Sequence, residues 1–235
     1  MHGSAPHRST VRSGYDRIGD LYVTWSEQIE GDPRVRFLTE LTRRLAPQSD
    51  ILDLGCGNGK LVTELLAPEH QVLGIDISPE QVRRARRNVP AATFRVADLA
   101  TLELAPNSCD AVVASYSLIH VPRERHAAIL RKTSIWLRPG GFLLLCMLAE
   151  EFNDVTIEWL GVEMFFSSYG AEATRALVHA AGYRTLIDEE VTTVEPEGRI
   201  SFLWVLAEHC LASDSDKLAF AAGRSSDISR YLGSN

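Results

Sequence analysis

The sequence predicts a three-layer α/β sandwich: a seven-stranded, mostly parallel sheet with an antiparallel terminal strand, covered by helices. Three observations predict it. Short apolar runs alternate with segments of helical period from Asp50 to Leu148, as right-handed βαβ units require. The first of these runs stops at a glycine cluster, where a strand would turn into a helix. Two final apolar runs follow one another with no helix between them, which makes them pair antiparallel.

The elements follow in order. The first dozen residues, with Gly3, Ser4, Pro6, Ser9 and Ser13, read as a flexible start. Asp32-Pro33 reads as a cap and first-turn proline for a helix whose apolar face is Phe37, Leu38, Leu41 and Leu45. Ile51–Leu54 is the first strand, followed by helical spacing through Leu61, Leu65 and Leu66. Gln71–Ile75 is the second strand. Ser78-Pro79-Glu80-Gln81 carries a capping-box pattern and opens a helix with an arginine-rich face. Thr93–Ala97 and Asp110–Ala114 are strands three and four, the latter nearly continuous in apolar residues, as burial on both faces demands. A helix over Arg123–Arg138 ends at Pro139-Gly140-Gly141, and Phe142–Leu148 is the fifth strand. Glu172–Ala181 is a helix stopped by Gly182. Tyr183–Val191 and Ile200–Ala207 form the closing pair, joined through Glu195-Pro196-Glu197-Gly198.

The expected organisation is a flexible start and helical cap over 1–46, a core over 47–210, and a loose tail over 211–235 in which Leu218, Phe220 and Tyr231 are candidates for weak docking. Within the core, 149–170 is too long for a plain connection. It carries Phe152, Trp159, Met164, Phe165, Phe166 and Tyr169. It reads as a lid over a small apolar or aromatic molecule, against the alternatives of an extra packed helix or a dimer surface.

Composition narrows the function. A net charge of -7 argues against nucleic acid as a partner. Arg83, Arg84, Arg86 and Arg87 line one helix face, but without interleaved aromatic groups they read as a solvated surface. The longest apolar run, Phe142–Ala149, is far short of the roughly 20 residues of a membrane span. The start shows no secretory pattern, so a cytoplasmic, membrane-free protein is expected. The four cysteines make no C-x-x-C pair and the seven histidines no H-E-x-x-H, so free thiols and no metal are expected. Oligomeric state is not readable from the sequence.

The informative segment is Asp53-Leu54-Gly55-Cys56-Gly57-Asn58-Gly59. Its glycines allow positive φ and close approach of backbone to a ligand. A dinucleotide fingerprint needs glycine at 60, which is Lys; a P-loop needs Ser or Thr at 61, which is Leu. Asp53, Asp76 and Asp98 each close one of three successive strands, on the edge where open α/β sheets bind ligands. A carboxylate after the second strand suits a ribose diol, one after the third an adenine amine, and one beside the first loop an ammonium or sulfonium rather than a phosphate.

Residues 51–61, 74–78 (Gly-Ile-Asp-Ile-Ser), 93–99, 108–122 and 137–147 (with Leu-Arg-Pro-Gly-Gly) resemble the successive motifs of the class I S-adenosylmethionine-dependent methyltransferases, a Rossmann-like family. The resemblance runs from Ser49 to Ala207. It implies S-adenosylmethionine as cofactor and S-adenosylhomocysteine as product. By it, Asp53 and the backbone of Gly55, Cys56, Gly57 and Asn58 hold the methionine moiety. Asp76 binds the ribose hydroxyls, with Ile77 against the adenine and Gln81 in the helix that follows. Asp98 and Leu99 meet the adenine, and Ser115 and Tyr116 line the methionine side. Tyr15 and Tyr22 resemble a leading helix that closes over the cofactor in small-molecule members; two packing tyrosines are the competing explanation.

Methyl transfer from a sulfonium needs alignment and water exclusion first, worth ~7–11 kcal/mol. A base adds about 10²–10⁴-fold where the acceptor must lose a proton. His120, after the fourth strand, is the one candidate, with a capping or cofactor-shell role as the alternative; His126 and His179 read as packing or surface groups. No Asn/Asp-Pro-Pro-Tyr/Phe follows the fourth strand, which counts against base amino-group methylation. The expected function is methyl transfer to a small apolar or aromatic metabolite, with O-, N- and C-acceptors open. The alternatives are a cofactor-binding module, a non-methylating enzyme on the same fold, and an NAD(P)-dependent dehydrogenase.

Overall fold

A computed structural model describes residues 6–210; the predicted tail over 211–235 lies outside the described residues. In chain order the elements are α1 (Pro6–Ser26), α2 (Arg34–Thr42), β1 (Asp50–Leu54), α3 (Val62–Leu66), β2 (Gln71–Asp76), α4 (Pro79–Asn88), β3 (Thr93–Val96), β4 (Cys109–Ala114), α5 (His126–Trp136), β5 (Leu137–Leu148), β6 (Glu151–Trp159), β7 (Val162–Tyr169), α6 (Ala171–Ala180), β8 (Tyr183–Glu195) and β9 (Gly198–His209).

The main sheet is seven-stranded in the order β3-β2-β1-β4-β5-β9-β8. Strands β1 to β5 are parallel to their neighbours, and β9 runs antiparallel to both β5 and β8. The chain steps outward from β1 to β2 and β3, then returns to place β4 on the other side of β1. The direction of winding therefore reverses between β1 and β4, and the crevice at their carboxyl ends is where such a sheet takes ligands. Burial follows position. Inner strand β4 is apolar and buried along nearly its whole length, while edge strand β8 alternates. Trp204 of β9, stacked on Phe37 of α2 at 4.8 Å, anchors the far half of the core.

Two expectations, and the alternative of a packed helix over 149–170, need correction. The start of the chain is helical: α1 begins at Pro6. Val11, Ile18 and Trp25, with Tyr15 and Tyr22 between them, recur at helical spacing, and Val11 and Ile18 are buried. Residues 149–170 hold no helix but the antiparallel pair β6–β7, separate from the main sheet. Its inward side chains Val162, Met164 and Phe165 pack with Val11 and Ile18 of α1 in a second apolar cluster. The capping box at α4 is half formed. Ser78 Oγ accepts from Gln81 N at 3.0 Å, but the Gln81 amide instead donates to the Tyr15 carbonyl at 3.3 Å. Among the described residues, no helix is long and apolar enough to cross a membrane, and no group of three or more His, Cys, Asp or Glu is placed to hold a metal.

Candidate active site

The carboxyl ends of β3, β2, β1 and β4 open into one crevice, which α1 roofs. It contains about 780 Å³ of non-atom space, its solvent-open mouth included.

The glycine loop is bent back by two hydrogen bonds, from the N–H groups of Gly55 (2.7 Å) and Cys56 (3.0 Å) to the carbonyl of Ile75. Gly55 has φ 78°, and a Cβ there would stand 2.3 Å from Ser117 Cβ, so no other residue fits. Asp76 locks the loop from the side. One carboxylate oxygen accepts from Gly57 N (2.9 Å) and the other from Ser78 N (2.8 Å). Burial pushes its pKa up to about 6 against the pull of those backbone N–H groups.

Most residues singled out in the sequence meet at this crevice: Tyr15, Tyr22, Gly55, Gly57, Asp76, Ile77, Gln81, Asp98, Leu99, Ser115, Tyr116 and His120 all line it. Asp53, Cys56 and Asn58 do not. Asp53 is buried beneath the loop, where its carboxylate accepts from Thr63 Oγ1 at 2.6 Å; burial raises its pKa to about 7. Cys56 faces away, packed with Val82, Ala85, Val89 and Phe94. The Asn58 side chain accepts from Lys60 N (3.0 Å) and its carbonyl from Asn88 (2.9 Å), so it braces the turn.

His120 is fixed by both ring nitrogens. Nδ1 lies 2.8 Å from the Phe165 carbonyl, which can only accept, so Nδ1 carries the proton. Nε2 then accepts from the Tyr15 hydroxyl at 2.8 Å. Burial lowers the imidazole pKa to about 4 against the opposing pull of the Phe165 carbonyl, so the ring is neutral at pH 7. His126, also buried, braces the same turn through the carbonyls of Leu118 (3.0 Å) and Val121 (2.8 Å). Tyr116 holds φ 55°, a strained value for a bulky residue, wedged edge-on against Phe202 and Trp204 under the Arg34 guanidinium.

The crevice wall also contains His7, Arg8, Val11, Ala100, Ser117 and Val121, which the motifs did not single out. Arg8 Nε pairs with Asp98 at 2.6 Å, and Asp98 also accepts from Ala100 N at 2.8 Å. For His7, Arg8 and Val11 a signal existed in the heptad-like spacing of Val11, Ile18 and Trp25; Ser117 lies within the motif over 108–122, two residues past Ser115. Side chains of the β6–β7 hairpin are absent from the wall. The hairpin reaches the site through the Phe165 carbonyl.

The crevice fits an adenosyl sulfonium. Three buried polar atoms on its wall, Gln81 Oε1, Ser115 Oγ and Ser117 Oγ, have no hydrogen-bond partner in the protein. Buried polar groups are ordinarily satisfied, so these await a polar ligand. Asp76 offers its remaining lone pairs to a diol, and the loop presents bare backbone rather than cations suited to phosphate.

Comparison with known proteins agrees. Residues 51–141 match the family described as "Methyltransferase domain". The chain is 38% identical over 120 residues to trans-aconitate 2-methyltransferase of Methylobacterium nodulans, covering 49% of this chain and 45% of that one. It is 34% identical over 161 residues to 27-O-demethylrifamycin SV methyltransferase of Amycolatopsis mediterranei, covering 60% and 58%. The chain thus spans about half the length of these curated relatives. Its fold matches the crystal structure of 1,6-didemethyltoxoflavin-N1-methyltransferase of Burkholderia thailandensis, with TM-score 0.67 and 18% identity over 90% of this chain and 93% of that one. In its matched residues, strand order and crevice this chain is similar to the S-adenosylmethionine-dependent methyltransferases.

Proposed function

We propose that this chain moves a methyl group from S-adenosylmethionine to a small, apolar or aromatic metabolite by in-line displacement, releasing S-adenosylhomocysteine. The single observation that carries this is the set of three partnerless buried polar atoms in a crevice closed by Asp76 and the glycine loop. The names of the two curated relatives, both small-molecule methyltransferases, support the acceptor class.

Bound S-adenosylmethionine supplies an electrophilic methyl group on a sulfonium. Asp76 accepts from the ribose hydroxyls while still holding Gly57. Ile77 and Leu99 flank the adenine, and Asp98, paired with Arg8, marks its amine edge. The backbone of Gly55 and Gly57, with Ser115 and Tyr116, receives the methionine side, and Gln81 contributes its partnerless oxygen from below. Asp53, Cys56 and Asn58 hold the loop's shape from behind it. Tyr15, Tyr22, Tyr116 and His120 wall the reacting end, and their rings exclude water and align a flat acceptor. His120 has no free nitrogen toward the crevice. It acts on a proton there only through the Tyr15 hydroxyl, which it orients.

Titration calorimetry with S-adenosylmethionine, S-adenosylhomocysteine and NAD tests the assignment. Binding of the two sulfur compounds and not of NAD is expected, and their loss in Asp76→Asn. A folded sample that binds neither sulfur compound refutes it. A screen of aromatic carboxylates, phenols and amines with the labelled methyl donor then identifies the acceptor.

A further inference from the structure

A buried ion pair stands behind one end of the crevice. Arg34, in the first turn of α2, is 8% exposed. Asp32 holds one edge of its guanidinium, through Nε at 2.6 Å and Nη2 at 2.5 Å, and also accepts from the Arg34 backbone N–H at 3.0 Å. The guanidinium carbon lies 5.1 Å from the centre of the Tyr116 ring, and the Tyr22 hydroxyl stands beside the same guanidinium. Tyr22 and Tyr116 both line the crevice. A buried guanidinium needs a partner, and Asp32 meets that need. It does not explain why two crevice tyrosines converge on the pair.

The pair sets the direction of one proton. A guanidinium has donors and no acceptor, so the Tyr22 hydroxyl turns a lone pair toward Arg34 and keeps its proton to give elsewhere. Burial raises the Tyr22 pKa against the opposing pull of Arg34, so that proton stays in place at neutral pH. Tyr15, whose ring meets Tyr22 edge to face at 5.8 Å, is the contrast. Its proton goes to His120 Nε2 at 2.8 Å, and His120 Nδ1 is bound to the Phe165 carbonyl. This end of the crevice thus offers a donor, and the imidazole beside it is committed at both nitrogens.

Those two properties select a chemistry. An acceptor atom that must first lose a proton finds no ready base here. One that is anionic at neutral pH needs none, and it accepts from Tyr22. A carboxylate is such a group, with a solution pKa of ~4, and hydrogen bonds to an ionised oxygen are the strong ones. A protonated amine is the reverse: it has no lone pair to receive either the Tyr22 proton or a methyl group. Glu195 and Glu197, near Asp32, would draw such a cation by charge, so the two readings are opposite and one titration separates them.

We propose that Tyr22, oriented by Arg34, determines the specificity of this site, and that the acceptor is a carboxylic acid, bound as its anion and methylated on oxygen. This rests on the methyl-transfer reading above. One carboxylate oxygen accepts from the Tyr22 hydroxyl; the other forms the bond to the methyl carbon as the carbon–sulfur bond breaks. The electron pair of that bond stays on sulfur, the products are a methyl ester and a thioether, and no proton moves. Arg34 acts through Tyr22 and is a positioning residue.

The test is the binding of three probes with the same ring and different ends: benzoate, phenol and benzylamine. Each is titrated into protein saturated with S-adenosylhomocysteine, and the ring resonances of isotope-labelled tyrosine are followed by NMR. Benzoate is expected to shift Tyr22 and Tyr116 and to bind about tenfold tighter than either other probe, the effect of one hydrogen bond to a charged group. In Tyr22→Phe, which keeps the ring and its packing, that advantage is lost. Arg34→Lys keeps the charge but not the planar fork; it weakens benzoate and leaves the S-adenosylhomocysteine affinity unchanged. Equal or tighter binding of phenol or benzylamine overturns the proposal, as does benzoate binding that is absent or that Tyr22→Phe leaves intact. An equal loss of benzoate and S-adenosylhomocysteine in Arg34→Lys marks a structural fault and overturns the positioning role. Failure of the unaltered protein to take up S-adenosylhomocysteine, seen before any probe is added, instead refutes the methyl-transfer reading, and this proposal falls with it.

Discussion

The Tyr15–His120–Phe165 chain of hydrogen bonds ties together a helix, a loop and a hairpin through single atoms. It fixes the less common Nδ1–H tautomer and keeps the ring neutral. Nitrogen-correlated NMR is therefore expected to show His120 protonated on Nδ1 only, with no titration between pH 8 and pH 5. Tyr15→Phe releases Nε2 and shifts its resonance, without unfolding the protein. Asp53 has the opposite pH signature. Its folded pKa, about 7, lies above the unfolded value near 3.8. The unfolded state thus loses its proton first as pH rises, and stability falls between those two values. Asp53→Asn, which removes that ionisation, is expected to gain stability over the unaltered protein as pH climbs from 4 to 8, in denaturant melts at each pH. At this scale the sequence was legible wherever a residue's role depends on its neighbours in the chain. Gly55, Asp76 and Asp98 stand at strand ends that periodicity locates. The role of Arg8 was not legible, because what makes it part of the site is its pairing with Asp98 across the fold.

Helix α1 and the β6–β7 hairpin hold each other over the crevice. Their shared cluster of Val11, Ile18, Val162, Met164 and Phe165 is separate from the main core. The rings of Tyr15, Tyr22, Trp25 and Trp159 extend it edge to face. Phe165→Ala is expected to cost ~3 kcal/mol through the cavity it leaves, read as a lower denaturation midpoint. Because Phe165 keeps its backbone carbonyl, the His120 tautomer should survive. Polar latches also pin α1: Asp16 accepts from Ser78 Oγ at 2.6 Å, Arg84 of α4 pairs with Asp20, and Arg8 reaches Asp98. Arg8→Met keeps the stem and removes the charge. It is expected to weaken S-adenosylhomocysteine several-fold, with a faster dissociation rate in surface plasmon resonance. Both elements were hard to read in advance for physical reasons. The apolar stripe of α1 is narrow, and the polar run around Ser9 and Ser13 conceals its start. The two-residue alternation of β6 is broken by an irregularity between Phe152 and Val155, where Asp154 takes φ 51°.

For the molecule as a whole, the doubly wound half and its antiparallel closure were legible. Five apolar runs with helices between them and two without leave few topologies. The sheet's switch point lies between β1 and β4, beside the only stretch among the described residues where three glycines take positive φ within five residues, Gly55, Gly57 and Gly59. Strand order thus decides where the ligand lies, and the loop decides which ligand. A ligand that binds only the folded state stabilises it by mass action. S-Adenosylhomocysteine at 100 times its dissociation constant is expected to add ~2.7 kcal/mol, seen as a raised melting temperature that Asp76→Asn abolishes.

Cys56 sits behind this loop with its thiol sealed among Val82, Ala85, Val89 and Phe94, and burial pushes its pKa well above the usual thiol value. An alkylating reagent can reach that sulfur only when the turn swings away from β2. In a background where exposed Cys210 is replaced by serine, the pace of iodoacetamide capture at Cys56 becomes a clock for spontaneous opening of the glycine turn, one that an occupied crevice ought to slow.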